Sequence, residues 1–177
     1  EQISYDYVLD RARADGNEKA LRELEQIGYP PYSNHETDVM IQRSWLEYYG
    51  GVEVGFNSLR EIVLATLFRP EYTWFDGIRF IRGNYFTRRT MFDAVKDVDF
   101  LSDDVTLQVP VAFIAGRYDY NTPSCLVKQF YEQMSAPAKH LYWFEHSAHF
   151  PHMEEPEHFA YILRQFHIDR VEDSMLE

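Results

Sequence analysis

A chain of 177 residues, 45% hydrophobic and 16% aromatic, has enough apolar material for one packed domain with a small accessory layer, which excludes a disordered chain. Its formal charge of −12 repels polyanions, so nucleic acid is not an expected partner. The one cysteine, Cys125, rules out an internal disulfide and demands no oxidising compartment, while no run of about 20 apolar residues offers a membrane span.

The opening residues, EQISYDYVLDRA, lack the basic start and apolar core of a secretion signal and an initiator Met, so the chain reads as if cut from something longer, with the cytoplasm as its expected location. From Ser4 to about Val98 the pattern is helical. Ser4 is placed to cap a first helix with Tyr7, Val8 and Ala12 on one face and Gly16 at its end. Asn17 then caps a second helix whose buried stripe is Ala20, Leu21, Leu24 and Ile27, stopped by Gly28. YPPYSNHET reads as a turn, and HETDVMIQRSWLEYYGG as a third helix ending at Gly50–Gly51. A fourth, SLREIVLATLF, is entered through Asn57 or Ser58. RPEYTWFDGIRFIRGNYFTRRTMFDAVKDV predicts one or two helices with a break near Gly83. No internal repeat occurs in this half, and its β-run, GVEVGF, is short.

Near Asp99 the texture changes. VPVAFIAG is a continuous apolar run of the kind buried on both faces of a parallel sheet. PSCLVKQFYEQMSAP predicts a helix with Pro at its first position, and Cys125 there is expected to be a small packing residue rather than a nucleophile. KHLYWFEH is a second strand, and EEPEHFAYILRQFHIDRVEDSM a closing amphipathic helix carrying Phe159, Ile162, Leu163 and Phe166. Strand–helix–strand–helix order with short links makes the strands parallel. The chain thus divides into a helical part, residues 1–100, and an α/β part, residues 101–177. Two parallel strands do not make a stable sheet, so further strands are expected to complete it.

Both strands end in loops with acid–base groups. Asp119 lies three residues beyond Gly116, and HSAHFPH supplies His146, His149 and His152. In a parallel sheet both loops emerge at the carboxyl edge, where an Asp can orient a His that takes a proton from a hydroxyl. Separately, each has a structural reading, Asp119 as a turn residue and His149 as a surface histidine. A metal reading draws on the three histidines together with Glu154, Glu155 and Glu157, but a loop interrupted by Pro151 cannot put three rings on one helical face, and no further ligand cluster completes a shell. No metal is expected.

The run VPVAFIAGRYDYNTP…KHLYWFEHSAHFPHMEEPEHF resembles the carboxy-terminal end of an α/β-hydrolase of the proline iminopeptidase-like group, over roughly Val109 to Phe166. More loosely, NEKALRELEQIGYPPY and SWLEYYGG are similar to helices of the cap, or lid, inserted in such enzymes. That family has a G-x-x-D turn after one strand and an S-x-H loop after the last, so the resemblance implies Asp119 as triad acid and His149 as general base, with SAH selecting His149 over its neighbours. The nucleophile elbow G-x-S-x-G is absent: the only glycines at that spacing, Gly51 and Gly55, bracket Glu53.

The resemblance therefore implies an α/β-hydrolase fold fragment: a helical cap over 1–100 and the carboxy-terminal strand–helix–strand–helix over 101–177, without nucleophile, oxyanion donors or most of the sheet. It implies a serine hydrolase of ester or amide bonds, with short peptides bearing a free amino end among its substrates, and no cofactor. Glu47, Glu71 and Asp76 are candidates for gripping a substrate ammonium. Trp45 stands beside Glu47. Tyr118 and Tyr120 flank the acid and are candidates for lining the site, with packing the alternative, while Phe150 and Pro151 shape the histidine loop. The partner is the missing amino-terminal hydrolase segment, in cis or as a second chain. Alone, the chain is expected to be inactive; the alternative is a non-catalytic fragment or interaction module.

Overall fold

In the first fifty residues local chemistry sets the helix ends. The computed structural model describes residues 1–32, 34–55, 69–95 and 98–175. Helix α1, Gln2–Asp15, closes on Gly16 in the left-handed conformation (φ 63°), which costs a glycine little. Helix α2, Glu18–Ile27, starts under Asn17, whose side chain accepts the Ala20 N–H at 3.1 Å. Helix α3, His35–Tyr48, starts under Asn34. The three pack around Tyr5, Val8, Ala12, Ala20, Leu24, Ile27, Tyr32, Leu46 and Val52. Polar ties cross this core: Tyr5 Oη donates to Leu24 O (3.1 Å), Tyr7 Oη to Tyr49 O (2.7 Å) and Trp45 Nε1 to Glu23 Oε2 (2.9 Å).

Ser4 is not a cap. Because α1 begins at Gln2, Ser4 lies inside the helix, fully buried, and its hydroxyl donates to Tyr120 O at 2.5 Å. A long-range acceptor has overridden the local preference of serine for a helix start.

The chain packs as two units, Glu1–Gly55 with Asp104–Glu177, and Phe56–Asp103. Helices α1 to α3 thus pack with the strands, and the division falls at Gly55 and Asp104. In the second unit, helix α4, Trp74–Val95, runs through Gly83 without the expected break. A glycine inside a helix costs about 1 kcal/mol but leaves the ladder of N–H to C=O bonds intact. Thr73 and Asp76 start α4 by reciprocal bonds, the hydroxyl of Thr73 donating to Asp76 Oδ2 (2.6 Å) and the Asp76 N–H to Thr73 Oγ1 (3.4 Å). The expected helix over 58–68 lies outside the described residues.

The α/β part has strand β1, Val111–Gly116, helix α5, Ser124–Gln133, strand β2, Lys139–Phe144, helix α6, Pro151–Glu154, and helix α7, Pro156–Met175. The strands pair in parallel from Val111 opposite Lys139 to Gly116 opposite Phe144. This is an α/β arrangement with a two-stranded parallel sheet. Among the described strand residues only Ala115, Gly116 and Phe144 are buried. The run that reads as buried on both faces is half-covered, since each strand of a two-stranded sheet keeps one free edge. Cys125 and Leu163, on α5 and α7, are exposed rather than packed. Pro123 caps α5 instead of entering it, and the closing helix begins at Pro156, after the separate turn α6. Among the described residues no helix is long and apolar enough to cross a membrane.

Replacing Asn17 by Ala removes the acceptor for the Ala20 N–H and should lower stability by about 1 kcal/mol. Urea unfolding checks this, with Asn34→Ala, whose Thr37 N–H bond is longer at 3.4 Å and exposed, expected to cost less; equal costs would contradict it.

Candidate active site

Strand β1 ends at a glycine because another chain segment crosses it. A Cβ on Gly116 would lie 1.9 Å from Ala148 O and 2.6 Å from Ser147 O, so the histidine loop can pass over the strand tip only while residue 116 has no side chain. The contact is secured by Tyr118 N–H donating to Ser147 O (3.0 Å) and Arg117 N–H to Phe144 O (2.9 Å). Outside it, Arg117 pairs with Glu145 through Nε (2.9 Å) and Nη2 (2.5 Å) and lies over the Trp143 ring at 4.0 Å.

Asp119 folds back on its own turn. Its Oδ1 accepts the N–H groups of Asn121 (2.8 Å) and Thr122 (2.9 Å), and Oδ2 accepts the Thr122 hydroxyl (2.9 Å). This is the turn role that the sequence allowed for an Asp in this place. The turn does not consume the carboxylate: Oδ2 also meets His149 Nδ1 at 2.9 Å. Asp119 is 8% exposed and the His149 side chain 32%. A carboxylate oxygen only accepts, so the ring nitrogen facing it carries the hydrogen and, in the neutral ring, Nε2 keeps its lone pair. The Thr122 oxygen, 3.2 Å from Nδ1, is a second acceptor for that N–H once its own hydrogen is given to Asp119. Among the described residues Nε2 has no hydrogen-bond partner. An imidazole so oriented, in a side chain that is partly exposed, can take a proton at Nε2 from a hydroxyl brought to it.

Both loops lean on the same strip of backbone. Tyr120 N–H donates to Gly51 O and His149 N–H to Val52 O, each at 2.9 Å. The Tyr120 ring stacks on Tyr7 (3.8 Å between centroids, 17°) and, with Phe150, packs against the core of α1 to α3. Arg43 of α3 lies within electrostatic range of Asp119. Burial pushes its guanidinium down, while the charges of Tyr32, Glu1 and Asp119 pull it up.

Of the residues singled out from sequence, Asp119 and His149 meet, and Tyr118 (exposed) and Tyr120 (packed) flank the acid. Glu47 is half-buried in the last turn of α3. Glu71 and Asp76 belong to the Phe56–Asp103 unit, where Glu71 is exposed. Asp76 is held below the ordinary carboxylate range by the Thr73 hydroxyl and N–H, with Arg79 at 3.4 Å adding to this. His146 and His152 are exposed, and among the described residues no three His, Cys, Asp or Glu side chains gather as metal ligands would. Sequence reading missed Thr122 and the Gly51–Val52 carbonyls. The T of YDYNTP was a possible signal for the first, since a hydroxyl three residues after an Asp can close its turn. Nothing local signals the second.

The probable aminopeptidase YbaC of Bacillus subtilis (strain 168) is similar to this chain, 33% identical over 138 residues, which are 76% of the chain and 42% of the relative. The chain therefore spans less than half the length of the curated relative that it matches. No family model matches the chain, and no solved structure matches it.

Gly116→Ala should destabilise the chain by about 1–3 kcal/mol, the usual range for overpacking, because the obstructing atoms are backbone and cannot rotate away. Chemical denaturation measures the cost, and an unchanged midpoint would mean that the histidine loop does not cross the strand tip.

Proposed function

We propose that the chain is the cap and acid–base part of a serine hydrolase with the α/β-hydrolase fold, acting on ester or amide bonds, amino-terminal peptide bonds among them. The observation that carries this reading is the Asp119–His149 pair, 2.9 Å apart at the ends of successive parallel strands, with no hydrogen-bond partner on Nε2 among the described residues. Similarity to a relative named as a probable aminopeptidase supports hydrolytic chemistry at the coarse level. The nucleophile is assigned to a segment outside these 177 residues, in the same polypeptide or a second chain, since no G-x-S-x-G occurs in them. That segment would also bring the oxyanion donors and further strands. Residues 1–100 are then the cap and 101–177 the end of the catalytic core.

In the proposed reaction His149 Nε2 takes the proton of the serine hydroxyl as its oxygen attacks the substrate carbonyl. Asp119 keeps the hydrogen on Nδ1 and stabilises the imidazolium that forms. The imidazolium returns its proton to the leaving alcohol or amine, giving an acyl-enzyme. Water then attacks with the same base, releasing the acid and restoring the serine. The reaction so written needs no cofactor. For a substrate ammonium the candidates are Glu47, Glu71 and Asp76, the last of which also serves Thr73 and Arg79.

A fluorophosphonate, read by intact mass, tests the proposal in the full-length protein. One serine outside these residues should be labelled, and His149→Ala and Asp119→Asn should each slow labelling by about 10⁴-fold. The 177-residue chain alone should not be labelled. Labelling that survives His149→Ala but not His146→Ala would overturn the assignment of the base; no labelled serine at all would leave a non-catalytic module.

A further inference from the structure

The loop that carries His149 belongs to no helix or strand, yet every one of its amides from His146 to Phe150 has an acceptor. His146 N–H donates to Glu155 Oε1 (3.0 Å), Ser147 N–H to Phe144 O (3.4 Å) and Ala148 N–H to Glu154 Oε2 (2.9 Å). The His149 N–H donates to Val52 O (2.9 Å) and Phe150 N–H again to Glu154 Oε2 (3.0 Å). Three of these five bonds end on the carboxylates of two adjacent glutamates. Glu155 Oε1 also accepts the Ser147 hydroxyl at 2.7 Å, and Glu154 Oε1 accepts the Val54 N–H.

We infer that Glu154 and Glu155 are positioning residues that clamp the His149 loop, a role that rests on the hydrolase reading above. One oxygen of Glu154 holds the amides on either side of His149, which fixes that residue between two anchored neighbours. Its other oxygen holds Val54, two residues beyond the carbonyl that receives the His149 N–H. A single carboxylate thus ties the loop to the strip on which it leans. Glu155 holds the start of the loop, at the His146 amide and the Ser147 hydroxyl. Carboxylate acceptors make stronger bonds to N–H groups than neutral ones, and water in their place would leave the loop free to move. The glutamates are not surface charges at rest in solvent: both are half-buried, and the Glu155 side chain is 18% exposed.

Glu155 also gives the clamp a pH dependence. Burial pushes its carboxyl up, but the Ser147 hydroxyl, the His146 N–H and the charges of His146 and His158 together hold it below the ordinary glutamate value of 4.5. A group depressed in the fold contributes fully above its unfolded value, and the contribution is lost as pH falls through the folded one. The protection of the His146 amide against exchange, relative to its intrinsic rate, should therefore fall as the pH drops below 4.5, and Glu155→Gln should remove that step.

The test uses Glu154→Gln and, because Glu155 makes both of its bonds to the loop through Oε1 alone, Glu155→Ala in the full-length protein. A glutamine accepts through one oxygen only, so in Glu154→Gln either Val54 or the amides flanking His149 lose their acceptor. Each variant should lose about 10- to 100-fold in kcat with KM nearly unmoved, as expected for a displaced base. In parallel, the ring nitrogens of His149, assigned through His149→Ala, should show one tautomer, with the hydrogen on Nδ1, in the parent and a mixture in the variants. A merely structural role would lower Tm without moving the tautomer or kcat, and that result overturns the proposal. Should Glu154→Gln not fold, the tautomer in Glu155→Ala decides alone: mixed supports the clamp, unmixed overturns it. Absence of any labelled serine in the parent would defeat the hydrolase reading, whereas the ring-nitrogen spectrum judges the clamp whether or not the protein turns over substrate.

Discussion

Two adjacent carbonyls, Gly51 O and Val52 O, receive the amides of Tyr120 and His149, and the meeting of acid and histidine depends on them. The strands alone bring the two loops only to the same edge of a sheet. To set a carboxylate 2.9 Å from an imidazole, the loops need a common rail, and that rail comes from a segment more than sixty residues earlier. Its own position follows from helix α3: Gly51 N–H donates to Leu46 O at 2.9 Å, and a Cβ on Gly51 would lie 2.5 Å from Leu46 Cδ1. Leu46 is fully buried in the core of the first three helices. The chain of constraint therefore runs from helix packing, through a glycine pressed on a leucine, to the geometry of a titratable pair.

Helices α1 to α3 are thus part of the foundation of the site. Ser4 adds a second strut by donating to Tyr120 O, and Tyr7 a third by stacking under the Tyr120 ring. The sheet contributes less than its sequence suggests. Its apolar strand is half-covered, and an open two-stranded parallel sheet has little stability of its own. In this unit the continuous buried cluster lies under the helices, with Tyr120 and Phe150, one from each loop, packed against it. The loops are held from their helical side.

What was legible in the sequence was what local chemistry decides. Gly16, Asn17 and Gly28 mark helix ends because the left-handed turn and the side-chain cap are properties of a few consecutive residues. The two strands, and the loops at their ends, follow from composition and from the parallel order. Illegible were the features set across long separations. Ser4 meets a carbonyl 116 residues away, and its local preference as a cap gave no hint of it. Gly83 reads as a breaker because its low propensity is visible and the surrounding helical ladder is not. Cys125 and Leu163 read as packed because periodicity tells which face is apolar, not whether anything covers it. Glu154 and Glu155 enter only the metal reading, which is set aside, since amides in search of acceptors leave no mark in a sequence.

Three histidines lie within seven residues, and geometry separates them. His149 follows Ser147 and Ala148, both fully buried, whose carbonyls lie over the bare backbone of Gly116. Only small side chains let the loop descend that far, and only a glycine at the strand tip lets it cross. The residue after the crossing is the one delivered to Asp119. His146 comes before the descent and His152 after the turn into α6, and both stay exposed. The small pair before His149 and the glycine at 116 are thus two halves of one steric condition. A bulkier residue at any of the three positions would lift the loop from the strand end and carry the imidazole away from its carboxylate.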